Sequence, residues 1–432
     1  MNFQPHIERR AFLMSGLGMV TVAKAEAPRL ETLTQWLKAS RSERENGVLQ
    51  CVERIRVMEP SIQAWVQVSP EKPTGDGPLS GIPIGVKDII ETKGLATEYG
   101  SPIYKGRIGK EDAAIVRDIR RRGAIVLGKT QAAAFAYRTP PPTHNPHDLT
   151  RTPGGSSSGS AAAVAAGMVP IAIGTQTAGS VLRPASYCGV TGFKPTYGLL
   201  PLDGVLPLAK SCDTLGFFTH SAADMLAFWG AIGKPTGSPE SFSFAAPEPP
   251  PQVEPEMAAA FRAALARLRN AGIPIEPVDI AAMLGNLNQA QRTVMFFEGA
   301  RFHERRFKEY GARLGDVADL VRDGLKISAA QYDEALRLIA GGRSRIGEIC
   351  SRTPVILTPA ATGVAPSGLE STGDAAMNGP WSAMGNPTIS IPLPVGNALP
   401  LGLQIAAGPG HDARVIQAGM LLQEKLGGSA LV

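Results

Sequence analysis

The residues of this sequence whose types and spacing could carry out chemistry are two serines and one lysine. Ser156 and Ser180 lie near the two ends of residues 154–184, which read GGSSSGSAAAVAAGMVPIAIGTQTAGSVLRP. A serine hydroxyl is a poor nucleophile until a base removes its proton. That stretch contains no histidine. The candidate base is Lys87, which ends the apolar segment GIPIGVK, because burial at that position would favour its neutral form.

The segments around these three residues predict that they are held in place. A Gly/Ser cluster is typical of a flexible linker, but the two clusters here are separated by AAAVAAGMVPIAIG. Its small residues let a helix pack closely, and residues 169–174 are typical of a buried strand. Lowering the pKa of Lys87 from about 10.4 to about 7 costs about 4–5 kcal/mol, which burial can supply. Asp88 faces the other side of the strand and is interpreted as structural.

Two other patterns suggest different chemistry, and the sequence argues against both. Residues 123–130, GAIVLGKT, satisfy the phosphate-loop pattern of an ATPase or GTPase. Their four central residues favour a buried strand, and they follow a helix-like segment, whereas a phosphate loop follows a strand. His144 and His147 lie in the turn-like THNPHD and are interpreted as surface or structural residues. The histidines form no H-E-x-x-H pattern, so no metal site is predicted.

The composition predicts a large globular enzyme. The chain has 432 residues, 44% of them hydrophobic, and its formal net charge of +5 is too modest to predict a nucleic-acid partner. Helix-like and strand-like segments alternate, which favours an α/β fold with a mixed sheet covered by helices. Residues 234–255 are rich in Pro, Glu and Ser and are predicted to form a surface linker or a long insertion. The four cysteines are expected to be free thiols, with a Cys188–Cys212 disulfide as the alternative.

The N-terminus carries the features of an export signal. Arg9 and Arg10 precede an apolar run over residues 12–23, and residues 23–25, Ala-Lys-Ala, offer a cleavage site. The run is too short for a permanent membrane anchor. We therefore predict a twin-arginine signal peptide over residues 1–27 and a periplasmic or secreted protein, with a cytoplasmic protein as the alternative. Residues 28–432 would form the mature protein.

Several segments together resemble the amidase signature family. They are residues 154–184, the upstream GIPIGVKD, the downstream CGVTGFKPTYG and SCDTLGFFTHSAADM, and the C-terminal AMGNPTISIPLPV and PLGLQIAA. The resemblance implies a single large domain with a mixed twisted sheet, a core that carries the site over about residues 80–220 and a variable helical region over about residues 234–350. It also implies catalysis without a cofactor.

By this resemblance, Ser180 is the nucleophile and Lys87 is the general base. Ser156 is the bridging serine and is preceded by a cis peptide bond. The backbone amides of residues 177–180 form the oxyanion hole that stabilises the tetrahedral intermediate. These residues are Thr177, Ala178, Gly179 and Ser180.

The sequence departs from the family pattern at three positions near the second serine. Ala178 stands where glycine is usual, which would cause strain if the backbone there needs a positive φ. Gln176 stands where aspartate is frequent, which removes a charge. Arg183 lies three residues after Ser180 rather than two. In the malonamidase-type branch, which this arrangement resembles, the arginine pairs with a substrate carboxylate, and a structural salt bridge is the alternative for Arg183.

The resemblance predicts an amidase that hydrolyses the carboxamide C–N bond of a small molecule. One alternative is the glutaminase (A) subunit of a tRNA-dependent amidotransferase, against which the predicted export signal argues. The other is a catalytically silent binding protein on the same scaffold, against which the intact set of Lys87, Ser156 and Ser180 argues. Homodimer formation stays open. We expect the specificity pocket to come from residues 234–380.

Overall fold

A single mixed sheet forms the centre of the molecule. The computed structural model describes residues 29–73, 75–238 and 242–427, so the predicted signal peptide lies outside the described residues. The strands in the described part are β1 (Trp65–Val68), β2 (Pro83–Lys87), β3 (Ile125–Thr130), β4 (Ile171–Gln176), β5 (Thr191–Lys194), β6 (Thr214–Thr219), β7 (Phe244–Pro247), β8 (Ile275–Val278), β9 (Val355–Pro359), β10 (Thr388–Pro392) and β11 (Gly402–Ala407).

Helices cover this sheet and fill the long connection before β9. The α-helices in the same described ranges are α1 (Leu33–Lys38), α2 (Arg41–Ile62), α3 (Ala114–Arg121), α4 (Ser158–Ala165), α5 (Leu182–Tyr187), α6 (Ala222–Ala231), α7 (Pro255–Asn270), α8 (Ala281–Tyr310), α9 (Asp316–Gly324), α10 (Ala329–Cys350), α11 (Gly379–Met384) and α12 (Asp412–Lys425). Among the described helices, none has both the length and the apolar character needed to cross a membrane.

The strand order is β1-β3-β2-β4-β6-β5-β10-β11-β9-β7-β8. Strand β2 pairs in parallel with β3 and with β4, and β7 pairs in parallel with β8 and with β9. The strands between these two parallel groups are antiparallel. The sheet is therefore mixed, as the alternation of elements predicted.

Neighbouring residues of β5 show that helices pack on both faces of the sheet. Gly192 lies against Ala185 of α5, whereas the ring of Phe193 contacts Trp229 of α6 at 5.2 Å between ring centroids. Successive side chains of a strand point to opposite faces, so α5 and α6 lie on opposite sides. Every residue of β2 to β6 is buried, as expected for strands covered on both faces.

The sheet topology places the two predicted serines near Lys87. Strands β2 and β4 are parallel neighbours, with Val86 beside Ile173, so their carboxyl ends lie at the same edge. Lys87 ends β2, and Ser180 follows the end of β4 by four residues. Ser156 and Ser180 each lie two residues before a helix, α4 and α5 respectively. The built site that the sequence predicted therefore lies at this edge of the sheet.

Two sequence predictions are settled by these elements. Residues 125–130 form strand β3 directly after α3, so the GAIVLGKT segment is a buried strand and not a phosphate loop. The interpretation of residues 234–255 as a surface linker is wrong in part, because they contain β7, which is buried at all four positions. Four apolar residues between Pro- and Ser-rich segments are too few to give a periodic signal. All four cysteines are free thiols.

Candidate active site

Lys87 lies at the centre of a cluster of hydroxyl groups. Its side chain is fully buried, and Nζ contacts Ser156 Oγ at 2.8 Å, Thr175 Oγ1 at 2.9 Å and Ser157 Oγ at 3.0 Å. Burial lowers the pKa of Lys87 to about 7, and the nearby charge of Asp213 opposes that shift. Lys87 therefore exchanges its proton near neutral pH, which a general base at this position requires.

The hydrogen bonds of the three hydroxyls differ in a way that bears on proton transfer. The Ser157 hydroxyl donates to the carbonyl of Thr175 at 3.1 Å, so its single proton is already committed. A neutral lysine keeps two N–H donors and gains a lone pair, so one of the three hydroxyls must then donate to Nζ. Ser156 and Thr175 can do so, because within the described chain their hydroxyls donate to no other acceptor.

The loop that carries Ser156 is fixed by its own serines and by a neighbouring segment. The Gly155–Ser156 peptide bond is cis. The Ser158 hydroxyl donates to the carbonyl of Gly154 at 2.7 Å, and the Ser160 hydroxyl donates to the carbonyl of Ile173 in β4 at 3.0 Å. These bonds tie the start of α4 to the sheet. The Gly/Ser cluster is therefore a rigid loop and not a linker.

Ser180 lies beside this loop and has a free hydroxyl. The backbone N–H of Ser157 donates to the Ser180 carbonyl at 3.3 Å, which joins the two serine-bearing segments. Ser180 is 8% exposed, and within the described ranges its hydroxyl makes no hydrogen bond. The structure thus brings Lys87 and Ser156 into direct contact and places Ser180 next to them, without a hydrogen bond between the Ser156 and Ser180 hydroxyls.

The turn over residues 177–180 presents unpaired backbone donors. In the part of the chain that the structure describes, the N–H groups of Thr177, Ala178, Gly179 and Ser180 donate to no protein acceptor. Donors of this kind can stabilise an oxyanion that develops next to the nucleophile. Ala178 does not have a positive φ, so the methyl group that replaces the usual glycine causes no backbone strain of that kind.

Gln176 holds this turn in shape through both ends of its amide. Its Oε1 accepts the N–H groups of Val181 at 2.8 Å and Leu182 at 3.0 Å. Its Nε2 donates to Ser382 Oγ at 3.0 Å, and that hydroxyl donates to the Ala178 carbonyl at 2.6 Å. An aspartate or glutamate could accept the first two bonds but could not donate the third. Glutamine at this position therefore compensates structurally for the missing charge.

Asp213 contacts this turn, and the sequence analysis gave it no role. The Thr177 hydroxyl donates to Asp213 Oδ1 at 2.6 Å, and the N–H groups of Leu208 and Ala209 donate to the same carboxylate. Burial raises the pKa of Asp213 to about 6. Its only signal in the sequence was its place in the SCDTLG segment, because its contact with the turn joins the start of β6 to the end of β4.

Arg183 is buried, and its terminal nitrogens contact protein oxygens. Nη1 donates to the carbonyl of Gly373 at 2.8 Å, and Nη2 donates to the carbonyl of Gly155 at 2.7 Å and to Thr372 Oγ1 at 3.2 Å. In the described part of the chain it forms no ion pair with a carboxylate, and its Nε is buried without a partner. Carboxylate recognition by Arg183 thus stays a prediction that these contacts restrict to the remaining donors.

The two histidines that the sequence interpreted as structural bond to backbone oxygens. His144 Nδ1 contacts the carbonyl of Leu149 at 2.6 Å, and His147 Nε2 contacts the carbonyl of Cys188 at 2.9 Å. Neither ring is hydrogen-bonded to Ser156 or Ser180 in the described structure. Lys87 is therefore the titratable group that contacts the hydroxyl cluster.

Comparisons with known proteins agree with this architecture. A family model described as Amidase matches residues 47–416. The A-type glutamyl-tRNA(Gln) amidotransferase subunit of Thermotoga maritima is 30% identical over 91% of this chain and 94% of that protein. Its counterpart in Symbiobacterium thermophilum is 29% identical over 86% of this chain and 91% of that protein. A solved structure of an amidase is 26% identical with a TM-score of 0.81, covering 91% and 100% of the two chains. The chain therefore belongs to the amidase family, as its motifs predicted.

Proposed function

We propose that the chain is a serine amidohydrolase that cleaves a carboxamide C–N bond through an acyl-enzyme on Ser180. The observation that carries this proposal is the 2.8 Å contact between Lys87 Nζ and Ser156 Oγ at a fully buried position. Burial lowers the pKa of Lys87 to about 7. This proposal assigns Lys87 as the base, Ser156 as the proton relay and Ser180 as the nucleophile.

In acylation, neutral Lys87 takes the proton of Ser156 while Ser156 takes that of Ser180. Ser180 Oγ then bonds to the carbonyl carbon, and the carbonyl oxygen becomes an oxyanion facing the N–H groups of residues 177–180. When this tetrahedral intermediate collapses, the C–N bond breaks. The leaving nitrogen receives the proton back from Lys87 through Ser156. The step requires the Ser180 hydroxyl to form a hydrogen bond with Ser156.

In deacylation, the same groups act on water. Ser156 and Lys87 take a proton from a water molecule, whose oxygen attacks the ester carbon. The ester bond to Ser180 then breaks, and Ser180 Oγ recovers the proton. The products are a carboxylic acid and an amine or ammonia. No cofactor enters either step of this proposal.

Single and combined alanine variants of Lys87, Ser156 and Ser180 test these roles. We expect each single variant to lose several orders of magnitude in kcat/KM, and the triple variant to lose little more, because residues that act as a unit are strongly non-additive. Losses that simply add would show that the three residues act independently. A Ser180→Ala variant with near-normal turnover would overturn the proposal.

A second candidate function shares this chemistry but differs in its setting. The curated relatives named above are amidotransferase subunits, and such names favour a glutaminase that works with partner subunits. That evidence supports the amidotransferase role more directly than it supports a free-standing amidase. The predicted export signal favours the free-standing enzyme. Both candidates use a carboxamide substrate, and only the amidotransferase role requires glutamine.

Assays of the purified chain, without partners, separate the two candidates and the silent binding protein. Hydrolysis of simple amides other than glutamine, abolished by Ser180→Ala, would support a free-standing amidase. Hydrolysis of glutamine alone, or only after partner subunits are added, would support the amidotransferase role. A chain that binds amides without any turnover would be the binding protein.

A further inference from the structure

A row of two arginines and two aromatic rings lies beside the proposed site. The guanidinium carbon of Arg138 lies 5.4 Å from the ring centroid of Tyr137, and that of Arg292 lies 5.1 Å from the ring centroid of Phe296. The two rings meet edge to face at 6.2 Å between centroids. We call these four residues the arginine–aromatic ladder. Both rings are buried and both arginines are exposed.

Two hydrogen bonds connect the ladder to the proposed catalytic residues. The N–H of Ala133, four residues before Tyr137, donates to the carbonyl of Ser156 at 3.0 Å. On α8, the side chain of Gln291, directly before Arg292, donates to the carbonyl of Thr177 at 3.1 Å. The ladder therefore joins the segment that contacts Ser156 to the helix that contacts the oxyanion turn.

The ladder arginines have no carboxylate partner. Within the described residues, neither Arg138 nor Arg292 forms an ion pair. The acidic residues that act electrostatically on Tyr137 are Asp316 and Asp319. Asp316 accepts a hydrogen bond from the Thr139 hydroxyl at 3.0 Å, and Asp319 is paired with Arg322.

Two further carboxylates act on arginines of this region and also have other partners. Asp323 lies near Arg292 but pairs with Lys326 at 2.9 Å. Asp374 lies near Arg183 and accepts the N–H of Ala376 at 2.9 Å. The guanidinium groups of the ladder are thus available to a ligand.

The predicted carboxylate binder, Arg183, adds positive charge to the same region. The charge of Arg138 contributes to the lowered pKa of Arg183, so the two guanidinium groups lie within electrostatic range of each other. Arg183 contacts protein oxygens, whereas Arg138 is exposed. A guanidinium that stacks on a ring keeps its N–H edge free for bidentate recognition of a carboxylate.

We propose that the arginine–aromatic ladder binds the carboxylate of an amide substrate, so that the preferred substrates are monoamides of dicarboxylic acids. This inference rests on the proposed amidohydrolase function, since it names the substrate class of that site. The carboxylate lies against Arg138 and Arg292 while the carboxamide lies between Ser180 and the oxyanion turn. Anionic amides are thereby favoured over neutral amides of the same length.

The test compares succinamate with the neutral butyramide in Arg138→Gln, Arg292→Gln and a control, Arg301→Gln. Arg301 also lies on α8, over the ring of Phe297 at 3.2 Å, and is exposed. We expect the ratio of kcat/KM for succinamate over butyramide to fall about 10- to 100-fold in each ladder variant, as for loss of a hydrogen bond to a charged group. The control should keep the ratio within about twofold.

Succinate and glutarate binding, measured by calorimetry, tests the ladder without turnover. We expect both dicarboxylates to bind the wild type and to bind about tenfold more weakly in each ladder variant. An unchanged kinetic ratio, or no binding of either dicarboxylate to the wild type, would overturn the inference while leaving amide hydrolysis intact. Dicarboxylate binding that depends on the ladder in a chain that hydrolyses no amide would instead sink the proposed function and keep the ladder as an anion site.

Discussion

The substitution Asp213→Asn should move the acid limb of the pH–rate profile to lower pH. Burial lowers the pKa of Lys87 from 10.5 to about 7, and the charge of Asp213 raises it against that effect. Removing the charge leaves burial less opposed, so the pKa of Lys87 falls further. Because neutral Lys87 is the active form, the variant stays active at pH values where the wild type has lost activity.

The size of the wild-type effect follows from the pKa of Lys87. With a pKa of about 7, about half of the molecules hold neutral Lys87 at pH 7, and about a tenth do at pH 6. A lysine with its ordinary pKa would be neutral in only about 0.03% of molecules at pH 7. We therefore expect kcat/KM to fall about tenfold per pH unit below pH 6, with a midpoint near pH 7. Asp213, whose pKa is about 6, titrates with Lys87 as a coupled pair.

The assay is kcat/KM from pH 5 to 10 at constant ionic strength for the wild type, Asp213→Asn and the control Thr177→Val. The control removes the hydroxyl that donates to Asp213 at 2.6 Å but keeps the carboxylate. It should lower kcat by disturbing the turn without lowering the midpoint. A wild-type midpoint near pH 10, or an unchanged midpoint in Asp213→Asn, would refute the reasoning.

Three other substitutions test the supports of the site and the N-terminal signal. Gln176→Glu loses the donor to Ser382 and adds a buried charge, so chemical denaturation should show a free energy of unfolding lower by about 1–3 kcal/mol; an unchanged value would contradict the role of Gln176. Gly159→Ala would push a methyl group into the backbone and should cost about 1–3 kcal/mol, whereas Gly341→Ala, at an open position in α10, should add about 0.5–1 kcal/mol; similar effects at both positions would contradict the packing argument. Replacing Arg9-Arg10 with Lys-Lys should leave uncleaved protein in the cytoplasm by fractionation, and export of the mature form would contradict the twin-arginine prediction.

Local patterns in the sequence were sufficient for the elements that carry the proposed catalytic residues. The apolar run that ends at Lys87 is strand β2, and the strand predicted at residues 169–174 is β4, Ile171–Gln176. The Lys87–Ser156 contact could be expected because the family motif fixes both residues. These features depend on short-range periodicity and on a spacing that one motif contains.

The features that the sequence did not predict depend on contacts between distant segments. Asp213 reaches Thr177 across 36 positions, and Arg183 reaches Gly373 across 190. Gln176 replaces a charge with an amide whose partner, Ser382, lies 206 positions away. No periodicity encodes such contacts, because they arise only when the sheet and helices assemble. The same holds for β7, whose four residues become a strand through pairing with β8 and β9.

The most direct test of the central claim is mass spectrometry of the enzyme quenched during turnover of an amide. The account predicts a mass increase equal to the acyl group, located on the peptide that contains Ser180. The adduct should accumulate when deacylation is slowed at low pH, because protonated Lys87 cannot activate water. It should be absent from Ser180→Ala. An adduct on another residue, or turnover without any adduct on Ser180 under these conditions, would contradict the account.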